Sequence, residues 1–108
     1  MNSTPPLRRN WFHILLALSR GADHGYAVMK DVEEQTAGHL KLWPATLYGA
    51  LADLSEAELI EEVALPAADQ RDRRVYHLTA IGQEQLAAET ERLAGLVALS
   101  RERQERGA

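Results

Sequence analysis

Two segments of the chain carry residue types that bind nucleic-acid phosphates. Lys41 lies just before the segment 42–48, LWPATLY, and three arginines lie in the segment 71–74, RDRR. The first segment has the pattern of an amphipathic helix, and the second leads into a short strand. A compact helix followed by a basic hairpin is typical of folds in which the helix enters a DNA groove while the hairpin grips nearby phosphates. We therefore predict binding to double-stranded DNA.

The predicted helix offers few side chains that read base edges. Its outward positions are small residues and Asp53, with no Arg, Lys, Asn or Gln for bidentate contacts to guanine or adenine. Thr46 and the alanines could contact thymine methyl groups, so DNA shape would supply much of the specificity. Tyr48 has two readings, a phosphate contact or a packing residue. The predicted DNA-binding residues are Lys41, Ala45, Thr46, Tyr48, Gly49, Ala50, Arg71, Arg73 and Arg74.

The arginines of the hairpin also have a simpler interpretation, as solvated charges. Because side chains alternate between the faces of a strand, Arg73 and Arg74 cannot both face DNA unless the strand begins after Arg73. We expect at least one of them to contact phosphate.

Other function classes find little support in the composition. The chain has no cysteine, which is typical of a reducing cytoplasm, and its four histidines show no metal-ligand spacing. No glycine-rich phosphate loop, paired catalytic carboxylates or nucleophile with an obvious base is present, so we expect no enzyme, no metal and no cofactor. Arg8 and Arg9 before the apolar segment 11–18 resemble a short export signal, but the segment contains His13 and lacks a cleavage site. No segment approaches the roughly 20 apolar residues of a membrane span.

The first part of the chain has the hydrophobic periodicity of two helices. The first helix is expected to stop at Gly21, and the second to be capped by Asp23 or His24 and to end at Gly38. The residues predicted to face the core are Trp11, Ile14, Leu15 and Leu18 in the first helix and Tyr26, Met29 and Val32 in the second.

A third helix, a hairpin and a long last helix are predicted to follow. Pro44 suits the first turn of the third helix, because the N–H that proline lacks is unpaired there anyway. The runs 60–65 and 74–78 are predicted strands joined by the polar loop 66–73, and Thr79 is expected to cap a helix that reaches about residue 103. The predicted buried stripe of the third helix is Leu47, Leu51 and Leu54.

These elements predict a fold that is mainly α with a small β-hairpin wing, a winged helix-turn-helix followed by a long C-terminal helix. We expect a flexible N-terminal arm at 1–9 and the winged helix-turn-helix DNA-binding domain at 10–79. A dimerisation helix with a frayed tail is expected at 80–108.

The last helix has more apolar surface than one small domain needs. Residues 93–99, LAGLVAL, span nearly two turns without a polar side chain, so one face can cover its own domain while the other requires a partner. We expect a bundle-like homodimer rather than a helix folded back on its own core. The predicted dimer interface is Leu86, Leu93, Leu96, Val97 and Leu99.

The net charge of −4 counts against simple electrostatic attraction to DNA. Acidic residues are concentrated in the segment 53–62, which contains no base. A second hypothesis therefore stays open, in which the winged helix is a protein-interaction or constitutive dimer module with weakened DNA binding. The salt dependence of DNA binding distinguishes the two.

Three short motifs follow one another along the chain: HGY at 24–26, PATLY at 44–48 and RVYHLT at 74–79, with Gly82 beyond them. In this order they resemble the PadR-type transcriptional regulators, and the resemblance covers roughly residues 10–100. It implies a winged-helix homodimer that represses transcription and is released from its operator by a small molecule. With a single helix after the wing, the chain is similar to the compact subgroup, in which the last helix carries dimerisation.

Three residues depart from the pattern of this family. Trp43 precedes the helix proline, where a small capping residue is usual, and it cannot accept the helix N–H bonds. Asp53 lies on the third helix, where the family commonly has bases. Glu58 replaces the usual glycine and would be strained if the backbone there is left-handed.

The resemblance also implies an effector site, because the first and last helices of compact members line a cavity at the dimer centre. A hydrophobic or aromatic small molecule would suit that cavity, with Phe12 as the stacking side chain. The alternative interpretation is that the aromatic residues of the first helix are ordinary core. The predicted effector-binding residues are Arg9, Phe12, His13, Thr90 and Leu93.

Overall fold

A computed structural model of the chain describes residues 7–64 and 74–107, with the backbone alone described at Arg9 and Ala64. Its elements are α1 (Arg9–Leu18), β1 (Asp23–His24), α2 (Gly25–Gln35), α3 (Pro44–Glu56), β2 (Ile60–Ala64), β3 (Arg74–Leu78) and α4 (Ala80–Gly107). The predicted architecture, mainly α with a small β-hairpin, is confirmed. The loop 66–73, with Arg71 and Arg73, lies outside the described residues. No helix within the described ranges is long and apolar enough to cross a membrane.

The three short helices and the hairpin share one hydrophobic core. On α1 the predicted residues Ile14, Leu15 and Leu18 are buried, and Trp11 packs against them in part. These burials confirm the i, i+3, i+4, i+7 pattern. The stripe predicted on α3 is also fully buried, and its members are Leu47, Leu51 and Leu54.

The second helix differs from its prediction in both its inner face and its end. The prediction that Tyr26 faces the core is wrong, because its side chain is 64% exposed. The helix begins at Gly25, so the i, i+3, i+7 face consists of Gly25, Val28 and Val32 instead. It ends at Gln35 rather than at Gly38, and Met29 packs against the core from its edge.

The sheet has three strands in the order β1-β3-β2, all antiparallel. The hairpin pairs Ile60 with Leu78 at its base, and β1 adds a short third strand by pairing Asp23 with Tyr76. Sequence reasoning missed β1 because two residues show no alternation. The His24 ring also bonds through Nδ1 to the backbone carbonyl of Arg74, 3.1 Å away, which ties the start of α2 to the wing.

The end of α3 is closed by backbone bonds around a left-handed residue. The N–H of Glu58 donates to the Ser55 carbonyl, and the N–H of Leu59 donates to the Leu54 carbonyl, both at 3.0 Å. This is the Schellman arrangement, with Leu59 and Leu54 forming its apolar contact. Glu58 has φ +65, so the backbone here is left-handed, a conformation that costs a residue other than glycine about 1–2 kcal/mol.

Replacing Glu58 with glycine is expected to stabilise the protein. Glycine adopts the left-handed conformation without the Cβ clash, so Glu58→Gly should raise the free energy of unfolding by about 1 kcal/mol. Urea denaturation measures the change. Glu58→Ala is the matched control, because it removes the charge and keeps the Cβ. A gain in Glu58→Ala as large as that in Glu58→Gly would contradict the backbone explanation.

The last helix begins at the cap that the sequence predicts and runs past its predicted end. Thr79 Oγ1 accepts the N–H of Gly82 at 3.0 Å and donates to the Glu58 carbonyl at 2.6 Å, so the predicted cap is confirmed. The helix ends at Gly107 rather than about residue 103, which makes it roughly 42 Å long at 1.5 Å per residue. An ion pair from Arg106 to Glu102, four residues apart and 2.8 Å long, supports these last turns.

The chain is already packed against the domain before α1. Leu7 packs against the core, and its N–H donates to Glu89 Oε1 on α4 at 3.3 Å. Arg9 is the first helical residue. The described end of the predicted 1–9 arm, 7–9, is therefore held in place rather than free.

Glu89 is a buried carboxylate that accepts hydrogen bonds from two residues. Arg92 donates to both of its oxygens, at 3.0 and 2.6 Å, and Leu7 donates its backbone N–H. The hydrogen bonds from Arg92 lower the pKa of Glu89, against the effect of burial. The carboxylate is thus held in its charged form, able to accept all three bonds.

Candidate nucleic-acid interface

The exposed face of α3 is built from small residues. Ala45, Thr46 and Gly49 are exposed, while Leu47 and Leu51 face the core and fix the rotation of the helix. Within the described residues, no heavy atom apart from its chain neighbours and the helix's own backbone lies within 4 Å of the position that a Cβ would take at Gly49. Ala50 differs from its neighbours, since it is half-buried against the core. A rigid helix with so little side-chain bulk allows close approach of another large molecule.

Tyr48 connects α3 to the start of α2. Its ring lies against Gly25 so closely that a Cβ there would come within 2.9 Å of the Tyr48 hydroxyl. The glycine of the HGY motif therefore makes room for the tyrosine of the PATLY motif. The contact with Gly25 gives Tyr48 a packing role, and 49% of its surface remains exposed.

Both α2 and α3 begin without a side-chain cap. Neither His24 nor Trp43 bonds to a first-turn N–H, so the predicted side-chain cap of α2 is wrong and the expectation for Trp43 is confirmed. Asp23 Oδ1 instead accepts the N–H of His24 at 2.9 Å. Backbone N–H groups at an uncapped helix start carry the positive end of the helix dipole. Phosphate oxygens are among the anions that such a helix start binds.

Cations and aromatic rings surround the start of α3. The Lys41 ammonium lies 5.1 Å from the ring centre of Trp43, which is 64% exposed. A groove of about 630 Å³ runs between this segment, the start of α1 and the exposed face of α3. It is lined by Arg8, Trp11, Lys41, Ala45, Gly49 and Asp53, among others.

On the wing, Arg74 is exposed and its guanidinium Nε lies 3.0 Å from Glu62 Oε1 on the neighbouring strand. The described part of strand β3 begins at Arg74, and Arg73 lies outside the described residues. The register places Ala64 opposite Arg74, at the end of the hairpin farthest from the core. An exposed pair of this kind contributes little stability, so the arginine can exchange partners.

Sequence comparison decides the family. The model of the transcriptional regulator PadR-like family matches residues 14–88, which include the second half of α1, all of α2 and α3, the wing and the first turns of α4. The chain belongs to the PadR-like family of transcriptional regulators. In the winged helix-turn-helix fold of this PadR-like chain, α2 and α3 form the helix-turn-helix, and β2 and β3 form the wing.

Two solved structures of PadR-like proteins share the fold of this chain. A PadR-like transcriptional regulator from Bacillus cereus has a TM-score of 0.72 at 21% identity, covering 92% of this chain and 93% of that chain. The structure of Bacillus subtilis PadR in complex with operator DNA has a TM-score of 0.68 at 21% identity, covering 75% and 46%. These two likenesses establish a common fold.

A curated relative extends the similarity at the sequence level. An uncharacterised 37.1 kDa protein in transposon Tn4556 of Streptomyces fradiae is 39% identical over 83 residues, which are 77% of this chain and 22% of that protein. The PadR-like chain thus spans about a fifth of the length of this relative.

The α4 helix of this PadR-like chain exposes the apolar surface noted in its sequence. Leu96, Val97 and Leu99 are 50, 47 and 38% exposed, and Leu93 is half-buried. Leu86 differs from these four, because it packs against the core of its own domain. The exposed surface therefore lies in the second half of the helix, beyond the region that covers the domain.

Of the described side chains proposed for an effector, Thr90 alone lines a groove between the end of α1, β3 and α4. His13 Nδ1 pairs with Gln35 Oε1 at 2.9 Å, and the half-buried Phe12 ring lies 6.3 Å from the His13 ring at an interplanar angle of 70°. The groove that Thr90 lines has a volume of about 680 Å³ and is also lined by Leu78 and Leu86. Leu93 does not line this groove, and the side chain of Arg9 lies outside the described atoms.

Proposed function

We propose that this PadR-like chain is a cytoplasmic, ligand-responsive repressor that binds operator DNA as a homodimer. The observation that carries the DNA-binding part is the exposed, small-residue face of α3, bounded by two uncapped helix starts and Lys41. Bacillus subtilis PadR, whose structure includes operator DNA, has the same fold and supports the proposal.

The α3 face is suited to enter the major groove with few base-specific bonds. Ala45, Thr46 and Gly49 give a close fit and methyl contacts, and the uncapped N–H groups can bind flanking phosphates. Arg74 on the wing would exchange Glu62 for a phosphate. Specificity would then come chiefly from DNA shape, with phosphate contacts fixing the register.

Homodimerisation is supported by the second half of α4. Leu96, Val97 and Leu99 lie next to one another and exposed, and a second copy of the helix would bury them. A two-fold dimer binds a pseudo-palindromic operator with half-sites about one helical turn (~10 bp) or a multiple of it apart.

The salt dependence of DNA binding tests the proposal. If about six phosphates are contacted per dimer, log affinity should fall against log salt with a slope near −5, and Arg74→Ala should make the slope shallower by about 1 per arginine lost from phosphate. Fluorescence anisotropy with duplexes that include the DNA upstream of the chain's own coding region measures it. The absence of salt-sensitive binding to any duplex would overturn the proposal.

The effector part of the proposal rests on α1 and α4. Phe12 is half-buried, and in a dimer it and the exposed part of α4 could enclose an apolar or aromatic compound. Such a compound should quench Trp11 fluorescence in a Trp43→Phe background. It should also lower the affinity of the protein for DNA by the same factor by which bound DNA lowers the affinity of the protein for the compound. A broad hydrophobic panel that changes neither quantity would leave a constitutive DNA binder.

A second candidate function is a protein-interaction module. The net charge of −4 and the exposed Asp53 on α3 favour it, because both oppose approach of a polyanion. Its signature is a stable dimer that binds no duplex at low salt.

A further inference from the structure

Arg8 reaches the exposed face of α3 from outside the helix-turn-helix. Its guanidinium Nη1 lies 3.8 Å from Asp53 Oδ2, and both side chains are more than half exposed. The guanidinium also lies 5.1 Å from the centre of the Trp11 ring, and this contact restricts the orientation of the Arg8 side chain. Arg8 and Lys41 therefore present two cations to the groove that runs along α3.

The backbone on the N-terminal side of Arg8 is fixed by the last helix. Leu7 donates its N–H to Glu89 on α4, and Glu89 is itself held in its charged form by Arg92. Two consecutive residues thus contact two different helices: Leu7 contacts α4 and Arg8 contacts α3. The position of Arg8 over α3 depends on this anchor as well as on Asp53.

We propose that Arg8 is a phosphate-contacting residue of the DNA-binding surface and that Glu89 is the positioning residue that holds it there. This inference rests on the proposed DNA-binding function and adds a residue from outside the helix-turn-helix and the wing. An exposed ion pair of 3.8 Å is weak, so a DNA phosphate can replace the Asp53 carboxylate as the partner of Arg8. In free protein the same pairing reduces the negative potential that Asp53 places on the α3 face.

The test compares salt dependence in matched arginine variants, with a labelled mixed-sequence duplex of about 40 base pairs as the probe. Arg8→Ala should make the slope shallower by about 0.9 per subunit. When salt is raised from 50 to 200 mM, the fold-loss of DNA affinity of the Arg8→Ala dimer should therefore be roughly ten times smaller than that of the wild-type dimer. Arg8→Lys should restore the slope. Arg20→Ala is the control, since Arg20 is equally exposed and paired with Asp31 at 3.3 Å, but at the other end of α1.

The role of Glu89 is tested by a double-mutant cycle in the same assay. Glu89→Ala should make the slope shallower in the wild-type background and have no further effect in Arg8→Ala. Glu89→Gln, which keeps an oxygen for the Leu7 N–H, should retain most of the slope. Circular dichroism checks that each variant is folded.

The outcomes separate this inference from the function on which it rests. Duplex binding by wild type with an unchanged slope in Arg8→Ala would overturn the inference and leave the DNA-binding proposal standing. Equal slope changes in Arg8→Ala and Arg20→Ala would also overturn it, because the effect would then follow net charge. No binding of wild type to the duplex would contradict both.

Discussion

Leu96→Glu is expected to convert the proposed homodimer into a folded monomer. Leu96 is half exposed in the isolated domain, so a carboxylate there does not disturb the protomer. Full burial of an exposed leucine stabilises by about 1.5–3 kcal/mol, so burying the exposed half of Leu96 in both protomers contributes about 1.5–3 kcal/mol in all. The dissociation constant should therefore rise by at least about one to two orders of magnitude. Leu93 is less suitable for this test, because its side chain is more buried in the protomer than that of Leu96 and a carboxylate there would disturb the fold.

Sedimentation velocity at micromolar concentration measures the change. Ile81→Glu is the matched control, because Ile81 lies on the same helix, is 44% exposed and stands outside the apolar segment 93–99. It should remain dimeric. A monomeric wild type at this concentration, or a Leu96→Glu variant as dimeric as wild type, would contradict the proposed role of α4.

Gly82→Ala is expected to destabilise the protein by about 2–4 kcal/mol, through overpacking against backbone that cannot yield locally. A Cβ at Gly82 would lie 2.0 Å from the carbonyl oxygen of Leu59. That carbonyl already accepts the N–H of Thr79, and Thr79 caps the same helix turn. The added methyl group must therefore separate α4 from the hairpin or break the cap.

Gly95→Ala is the control for Gly82→Ala. Gly95 lies on the same helix with no heavy atom within 4 Å of a Cβ, apart from the helix's own backbone, so alanine there should raise stability by about 0.5–1 kcal/mol. Urea denaturation measures both changes. A Gly82→Ala variant as stable as wild type would show that the close approach of α4 to Leu59 is not required.

The features that the sequence predicts correctly are set by local physics. The stripe of α3, the cap at Thr79 and the left-handed backbone at Glu58 each depend on residues within one or two helical turns. Tyr26 was assigned to the wrong face because a rotation of one residue moves a side chain by 100°, and only packing against the other helices fixes that rotation. Strand β1 depends on pairing with a segment some fifty residues away.

Some features of the candidate site are likewise local and predictable from the sequence, whereas others depend on contacts between distant residues. The small residues of α3 and the missing cap at Trp43 are visible as residue types. The contacts of Arg8 with Asp53 and of Leu7 with Glu89 join residues 45 and 82 positions apart, and no pattern in the sequence signals either of them. The buried state of Glu89 was equally invisible, since a glutamate in a long helix is usually exposed.

The central claim is that the exposed face of α3 contacts DNA, and Gly49→Glu tests it most directly. A side chain fits at Gly49 without a clash and favours the helix, so the variant should fold at least as well as wild type. Gln104→Glu makes the same change in net charge on the exposed end of α4. In anisotropy titrations with one duplex, Gln104→Glu should bind as wild type does. Gly49→Glu should bind at least about a hundredfold more weakly, because its carboxylate faces phosphate. Equal affinity of Gly49→Glu and wild type would contradict the claim.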